Sequence, residues 1–179
     1  MREGLLLSET TLTRTGFRLL ALLYAEYEWG ELRRDDESDV LDDFTAESSD
    51  LISEDLVALA AMSRAQDDEL QTLTLLQKVF PAGVGKLHIA NSTTPLTPRE
   101  ACNKVLHARK FRYRLEFSDR NPLYERYYQR MGLDRVGNFK NPILVLEGER
   151  NGAQWLAEIE AVPFVIAISA PAVHSWAFA

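Results

Sequence analysis

Cysteine and histidine are scarce in this sequence. Among its 179 residues there are one cysteine, Cys102, and three histidines. A single cysteine excludes an intramolecular disulfide bond, which agrees with a reducing compartment, and we expect a cytoplasmic protein. His88, His107 and His174 lie far apart along the chain, and none has a second His or Cys at the spacing of metal ligands. We therefore predict no zinc site and no bound cofactor.

Long hydrophobic segments are also missing. Residues 161–179 contain no Lys, Arg, Asp or Glu, but Pro163 and Pro171 interrupt them. A membrane-spanning helix needs about 20 mostly apolar residues, so we do not expect this segment to span a membrane. We expect the uncharged C-terminal segment to dock into the core or to bind a partner. Trp176 and Phe178 are its predicted partner-binding residues.

Charge of one sign is concentrated in two parts of the chain, although the formal net charge is only −7. Residues 26–69 contain sixteen Asp or Glu and three Arg, whereas residues 108–140 contain nine Lys or Arg and four acids. Opposed charge blocks of this kind are typical of interaction surfaces. We expect each block to bind the other or to bind a separate molecule.

The N-terminal half reads as helical. Apolar spacing predicts one helix over 8–29, stopped by Gly30, and another over 54–70. The acidic residues 31–50 between them have too few apolar positions to predict regular structure. Residues 87–90 read as a short strand and 91–96 as a loop.

The clearest local signal is Thr97-Pro98-Arg99-Glu100. A threonine cap, a proline at the first helical position and a glutamate three residues after the threonine form a capping box. The helix should run to about Ala108. Its predicted buried side includes Leu106, and its predicted solvent side includes Lys104.

The C-terminal half contains strand patterns. Alternation over 110–117 predicts a half-buried strand with Phe111, Tyr113 and Phe117 in the core. Residues 143–149 and 154–160 predict a hairpin around Asn151-Gly152. Together these patterns predict a single α+β domain over 1–179. A mainly helical acidic part, 1–95, would pack beside 96–179, which holds the capped helix and a small antiparallel sheet of at least three strands.

One candidate catalytic set lies on the polar side of the capped helix. Arg99, Asn103 and His107 follow one another at intervals of four residues and would form a single column. Arginine binds phosphate and histidine transfers protons near neutral pH, so the column would suit metal-independent cleavage of RNA. Helical ribonucleases of the HEPN type space their Arg and His more closely than the seven intervening residues found here. The structural alternative is an ordinary solvent face.

A second candidate site is the basic, aromatic stretch that follows. Its cations and tyrosines would offer phosphate contacts and stacking platforms for a nucleic acid. Its alternative partners are the chain's own acidic segment or another protein. The predicted binding residues are Arg109, Lys110, Arg112, Arg114, Arg120, Tyr124, Arg126, Tyr127, Tyr128 and Arg130.

The leading hypothesis from these patterns is a non-enzymatic interaction protein, microbial and cytoplasmic, that works within a protein assembly. It would use the segregated charged surfaces and the uncharged C-terminal segment, with a protein partner or a second copy of itself. The alternative is a ribonuclease or nucleic-acid-binding effector of the toxin or phage-defence type, using Arg99, Asn103 and His107. We expect no metal at either site.

Overall fold

The computed structural model describes residues 9–33, 39–76, 82–119, 132 and 139–169. Within them the chain forms five helices and one five-stranded antiparallel sheet, so the predicted α+β class is confirmed. The helices are α1 Glu9–Arg33, α2 Asp39–Leu70, α3 Thr72–Leu76, α4 Pro98–His107 and α5 Ala161–Ser169. The strands are β1 Gly85–Ile89, β2 Ser92–Pro95, β3 Lys110–Ser118, β4 Phe139–Arg150 and β5 Ala153–Glu160.

The two long helices α1 and α2 pack against each other as a helical hairpin. Their contact is apolar, with Leu19 and Leu23 of α1 and Ile52 and Leu59 of α2 all buried. These residues are four positions apart in α1 and seven in α2, a spacing that places one stripe of each helix in the core. Most of the stability of these helices therefore comes from burial of that stripe.

Two predictions for this hairpin are wrong. Helix α1 does not stop at Gly30 but continues to Arg33, and the acidic segment expected to be irregular supplies the first turns of α2, from Asp39. The ring of Phe44 on α2 contacts Trp29 on α1, with centroids 5.8 Å apart. Contact with the facing helix extends both helices where the local pattern alone is too weak to predict them.

The sheet has the order β2-β1-β5-β4-β3. The predicted hairpin is confirmed as β4 and β5, whose turn residues Asn151 and Gly152 both have positive φ angles, 53° and 78°. The loop prediction for 91–96 is wrong, because 92–95 forms the edge strand β2 on β1. All four residues of β2 are exposed, so no apolar alternation reveals this strand in the sequence.

Helix α5 lies at the centre of the molecule, where it contacts α1, α2 and β4. Phe164, Val165 and Ile168 are almost fully buried. The hydroxyls of Thr13 and Ser63 donate hydrogen bonds to the last carbonyls of α5, at 3.0 and 3.2 Å. The described part of the uncharged segment is therefore core and not a partner-binding surface. Trp176 and Phe178 lie outside the described residues.

Helix α4 begins as predicted, because the Thr97 hydroxyl accepts a hydrogen bond from the backbone N–H of Glu100 at 3.2 Å. Its two sides differ from the prediction at two positions. Lys104 is only 7% exposed, whereas Leu106 is 36% exposed. The Lys104 ammonium lies 4.6 Å from the centroid of the Trp155 ring, and this cation–π contact offsets part of the desolvation cost, which lowers the pKa of Lys104.

Strand β3 forms where expected, but one of its core predictions is wrong. Phe111 and Tyr113 are partly buried and pack against the core. Phe117 is 56% exposed, near the end of this edge strand. An edge strand has a neighbouring strand on one side only, so its terminal side chains receive little cover.

Candidate functional site

The arginine of the predicted catalytic column holds helices together. The Arg99 guanidinium contacts Asp67 and forms an ion pair with Asp68 at 3.0 Å, which joins α4 to the end of α2. The buried Asp67 carboxylate also accepts the backbone N–H of Leu73 at 2.6 Å, in the first turn of α3. This cluster fixes the junction of three helices and engages both terminal nitrogens of Arg99, although its side chain is 38% exposed.

The other members of the column are not gathered around Arg99. His107 is exposed at the end of α4 and Asn103 is half-buried. In the described parts of the chain, no hydrogen bond or ion pair joins either of them to Arg99 or to Arg109. The catalytic role stays a prediction, and the geometry adds nothing in its favour. Cys102 is also a poor nucleophile, because burial raises its pKa to about 12.

Arg109, just before β3, and the basic residues of β3 are paired with acids of the sheet. Their partners lie on β3 itself, on the adjacent strand β4 and on β5 beyond it. The ion pairs are Arg109–Glu149 at 2.7 Å, Lys110–Glu147 at 3.7 Å, Arg112–Glu147 at 3.3 Å, Arg114–Glu116 at 2.6 Å and Arg114–Glu158 at 2.9 Å.

Strand register produces these pairs. Lys110 lies directly opposite Glu147, and Glu158 of β5 is two strands away from the arginines of β3. Burial raises the pKa of Glu158, but hydrogen bonds and charge from Arg114, and then from His88, lower it by more. The net pKa lies below the ordinary glutamate value, as expected for a carboxylate held by cations. This part of the basic stretch thus forms a surface of mixed charge.

The remaining residues predicted to bind lie outside the described residues. They are Arg120, Tyr124, Arg126, Tyr127, Tyr128, Arg130, Trp176 and Phe178.

The acids of α2 are arranged differently. Asp43, Glu47, Asp50 and Glu54 are exposed and follow one another at intervals of four, three and four residues, which places them on one side of the helix. Among the residues that the structure describes, none of these four forms an ion pair. Val57 continues the same side and is 49% exposed. We call these five residues the acidic face.

Two pockets are relevant to ligand binding. The larger, of about 540 Å³, lies at one end of the sheet beside the start of α5 and includes Lys86, Arg114 and Glu158. Its charges are of both signs, and its arginine is already paired. The smaller, of about 360 Å³, lies between α1, α2 and β3 and includes Glu26 and Tyr113. His107 lines neither of them.

No group of three or more His, Cys, Asp or Glu in the described ranges could hold a metal ion. No helix there is long and apolar enough to cross a membrane.

Comparison with known proteins provides no family for this chain. No protein-family profile matches it, and no similar curated protein or solved structure was found.

Sequence reasoning missed both the acidic face and the Glu26 pocket. The spacing of Asp43, Glu47, Asp50 and Glu54 is visible in the sequence, but it falls in a segment predicted to be irregular. The Glu26 pocket is lined by residues more than 60 positions apart in the sequence, such as Ser49 and Tyr113. No local pattern could reveal it.

Proposed function

We propose that this chain is a non-enzymatic interaction protein of the cytoplasm, and that its acidic face binds a basic surface on another protein of the same assembly. The observation that carries the proposal is the contrast between two sets of charges. The acids of the acidic face are exposed and form no ion pair among the described residues, although the charge of Arg18 reaches Glu54, whereas Lys110, Arg112 and Arg114 of β3 are paired with acids of the sheet.

Charge complementarity favours a different protein over a second copy of this chain. In a symmetric dimer the same patch meets itself, so Asp43, Glu47, Asp50 and Glu54 would face their own copies. Like charges brought together at an interface are destabilising. A partner rich in Lys and Arg meets the acidic face without that cost, and the exposed Val57 adds apolar contact area.

Partner capture from the native cell tests this function. The face variant combines Asp43→Asn, Glu47→Gln and Glu54→Gln and leaves Asp50 unchanged. The control variant combines Asp119→Asn, Glu69→Gln and Glu160→Gln, which are exposed acids elsewhere and change the net charge equally. We expect the wild type and the control to recover the same basic partner and the face variant to lose it.

Salt provides a second check on the same interaction. Exposed charges are screened over about 8 Å at physiological ionic strength, so moderate salt should release the partner. Equal recovery by the face variant and the wild type would contradict the proposal. Failure to recover any partner with the wild type would also contradict it.

A further inference from the structure

The larger pocket, of about 540 Å³, lies at the end of the sheet where β1 and β4 begin and β3 and β5 end. Its strand residues, such as Ile143 and Glu158, alternate with the core residues Leu144 and Ile159, so they belong to the sheet face opposite the core. None of its lining residues belongs to the acidic face. Cavities of about 300–1,000 Å³ commonly hold small molecules, so its size suits a small ligand.

Three of the five charged residues in the lining are paired with one another. Arg114 of β3 forms ion pairs with Glu116 at 2.6 Å and with Glu158 at 2.9 Å. His88 of β1 adds a contact with Glu158 at 3.5 Å. Because these groups already bind each other, we assign the charged contacts of a ligand to the other two residues, Lys86 and Glu160.

Lys86 and Glu160 offer one charge of each sign. Both side chains are exposed, and neither forms an ion pair or a side-chain hydrogen bond among the described residues. Lys86 of β1 lies directly opposite Glu158 on β5, and Glu160 follows Glu158 by two residues on the same face of the sheet. Diagonal neighbours of this kind are about 7–8 Å apart. The pocket therefore presents an ammonium and a carboxylate that lie near each other without pairing.

Backbone contacts between β1 and β5 set the separation of these two charges. The backbone N–H of Glu160 donates a hydrogen bond to the carbonyl of Val84 at 2.9 Å, two residues before Lys86. A Cβ atom at Gly85 would overlap the carbonyl of Glu158, so a glycine at this position lets the two strands approach closely. Paired strands, and not a loop, therefore carry the two charged side chains.

Apolar side chains form the rest of the pocket. Ile143 and Val162 are buried in its wall, and Pro142 and Pro163 lie beside them in the lining. Phe117 of β3 also lines the pocket and is 56% exposed. Covering an exposed aromatic ring with an apolar group removes hydrophobic surface from water and is favourable. The pocket thus suits a ligand with an apolar body beside its charges.

We infer that this pocket binds a free α-amino acid with an aliphatic side chain, in its zwitterionic form. The carboxylate of the ligand pairs with Lys86, its ammonium pairs with Glu160, and its side chain covers Phe117. A zwitterion satisfies both charges of the pocket, whereas an anion would meet the like charge of Glu160 and a cation that of Lys86. The pocket is separate from the acidic face, so the inference does not rest on the proposed function.

Titration of the full chain with L-leucine tests the pocket, and the readout is the NMR shift of the Lys86, Phe117 and Glu160 amides. Three control ligands each lack one feature: Nα-acetyl-leucine has no ammonium, leucinamide has no carboxylate, and glycine has no apolar side chain. We expect saturable shifts with L-leucine and binding about fivefold weaker, or more, for each control, because each loses one ion pair or the apolar contact. Absence of saturable shifts with L-leucine, or equal affinity for L-leucine, Nα-acetyl-leucine and leucinamide, would overturn the inference.

Variants of the pocket test each contact separately. Lys86→Gln and Glu160→Gln should each weaken L-leucine binding by about fivefold, and Phe117→Ala by about threefold. All three side chains are exposed, so we expect these variants to fold, and thermal unfolding checks this. The matched controls Arg150→Gln and Glu69→Gln remove exposed charges outside the pocket and should change the affinity by less than about twofold. Unchanged binding by both Lys86→Gln and Glu160→Gln would overturn the inference.

The face variant and the control variant of the capture experiment show that the two sites are separate. The face variant should lose the partner and bind L-leucine as the wild type does. The control variant, which contains Glu160→Gln, should keep the partner and bind L-leucine more weakly. Loss of capture by the face variant together with a failed titration contradicts the pocket alone. A successful titration with unaffected capture by the face variant contradicts the proposed function alone.

Discussion

At the scale of single residues, two glycines allow close contact between elements of the fold. A Cβ atom at Gly16 of α1 would lie 2.7 Å from the Cβ of Ser169 on α5. A Cβ atom at Gly148 of β4 would lie 2.2 Å from the Trp155 ring, the ring that Lys104 contacts. Both distances are shorter than carbon atoms tolerate, so both contacts depend on the absence of a side chain.

Replacing Gly16 of α1 by alanine shows whether packing or helix propensity decides the change in stability at this position. Propensity alone predicts that Gly16→Ala stabilises α1 by about 1 kcal/mol. Overpacking against Ser169 and Val165 predicts a loss of about 1–3 kcal/mol instead. We expect urea denaturation to show a lower free energy of unfolding for the variant. A more stable variant would show that α1 and α5 are not in close contact.

The single thiol should be unreactive in the folded protein. Burial raises the pKa of Cys102 to about 12, so at about pH 8 the thiolate is almost absent and the sulfur is also covered. We expect a thiol reagent such as dithionitrobenzoate to react slowly with the native protein and rapidly in denaturant. Fast reaction of the native protein would show that Cys102 is accessible at the surface and that its thiol is available as a nucleophile.

At the scale of elements, the structure confirms those predictions that rest on short local signals. The Thr97 N-cap of α4 and the Asn151-Gly152 turn of the β4–β5 hairpin act within a few residues, so the sequence alone identifies them. The first turns of α2 and the edge strand β2 depend on neighbours distant in sequence. Their residues carry no apolar period, and packing decides their conformation.

The N-cap of α4 provides a direct stability test. Thr97→Ala removes the acceptor for the Glu100 N–H and should destabilise the protein by about 1 kcal/mol. Thr97→Ser keeps a hydroxyl and should cost much less. Thermal unfolding of both variants measures the difference, and equal losses would show that the hydrogen bond contributes nothing.

Glu158 makes the stability of the sheet depend on pH. Its pKa in the folded protein is lower than the ordinary value of 4.5, so its contribution is present above about pH 4.5 and disappears as the pH falls through the folded-state value. Wild type should therefore be more stable than Glu158→Gln near neutral pH, and the difference should shrink in acid. Urea denaturation across this range measures it, and a constant difference would contradict the assigned pKa shift.

At the scale of the whole molecule, folding changes the charge pattern read from the sequence. The basic block 108–140 is cationic along the chain, yet Arg109 meets Glu149 and the cations of β3 meet Glu147 and Glu158, all from strands that follow in the sequence. The sequence does not show which residues face each other across neighbouring strands. It therefore could not show that these cations are paired with acids of the sheet. Of the acidic block, the four acids of the acidic face remain exposed on α2, whereas Asp55 and Asp67 are buried and paired with Arg18 and Arg99.

In the proposed complex the acidic face binds the partner, while the acids of the sheet stay paired with the chain's own cations. Carbodiimide labelling of carboxylates, quantified by mass spectrometry with and without the captured partner, tests it most directly. We expect rapid labelling of Asp43, Glu47 and Glu54 in the free protein, strong protection of these residues in the complex, and little change at Glu147, Glu149 and Glu158. Unchanged labelling of α2 in the complex, with protection of the sheet carboxylates instead, would contradict it.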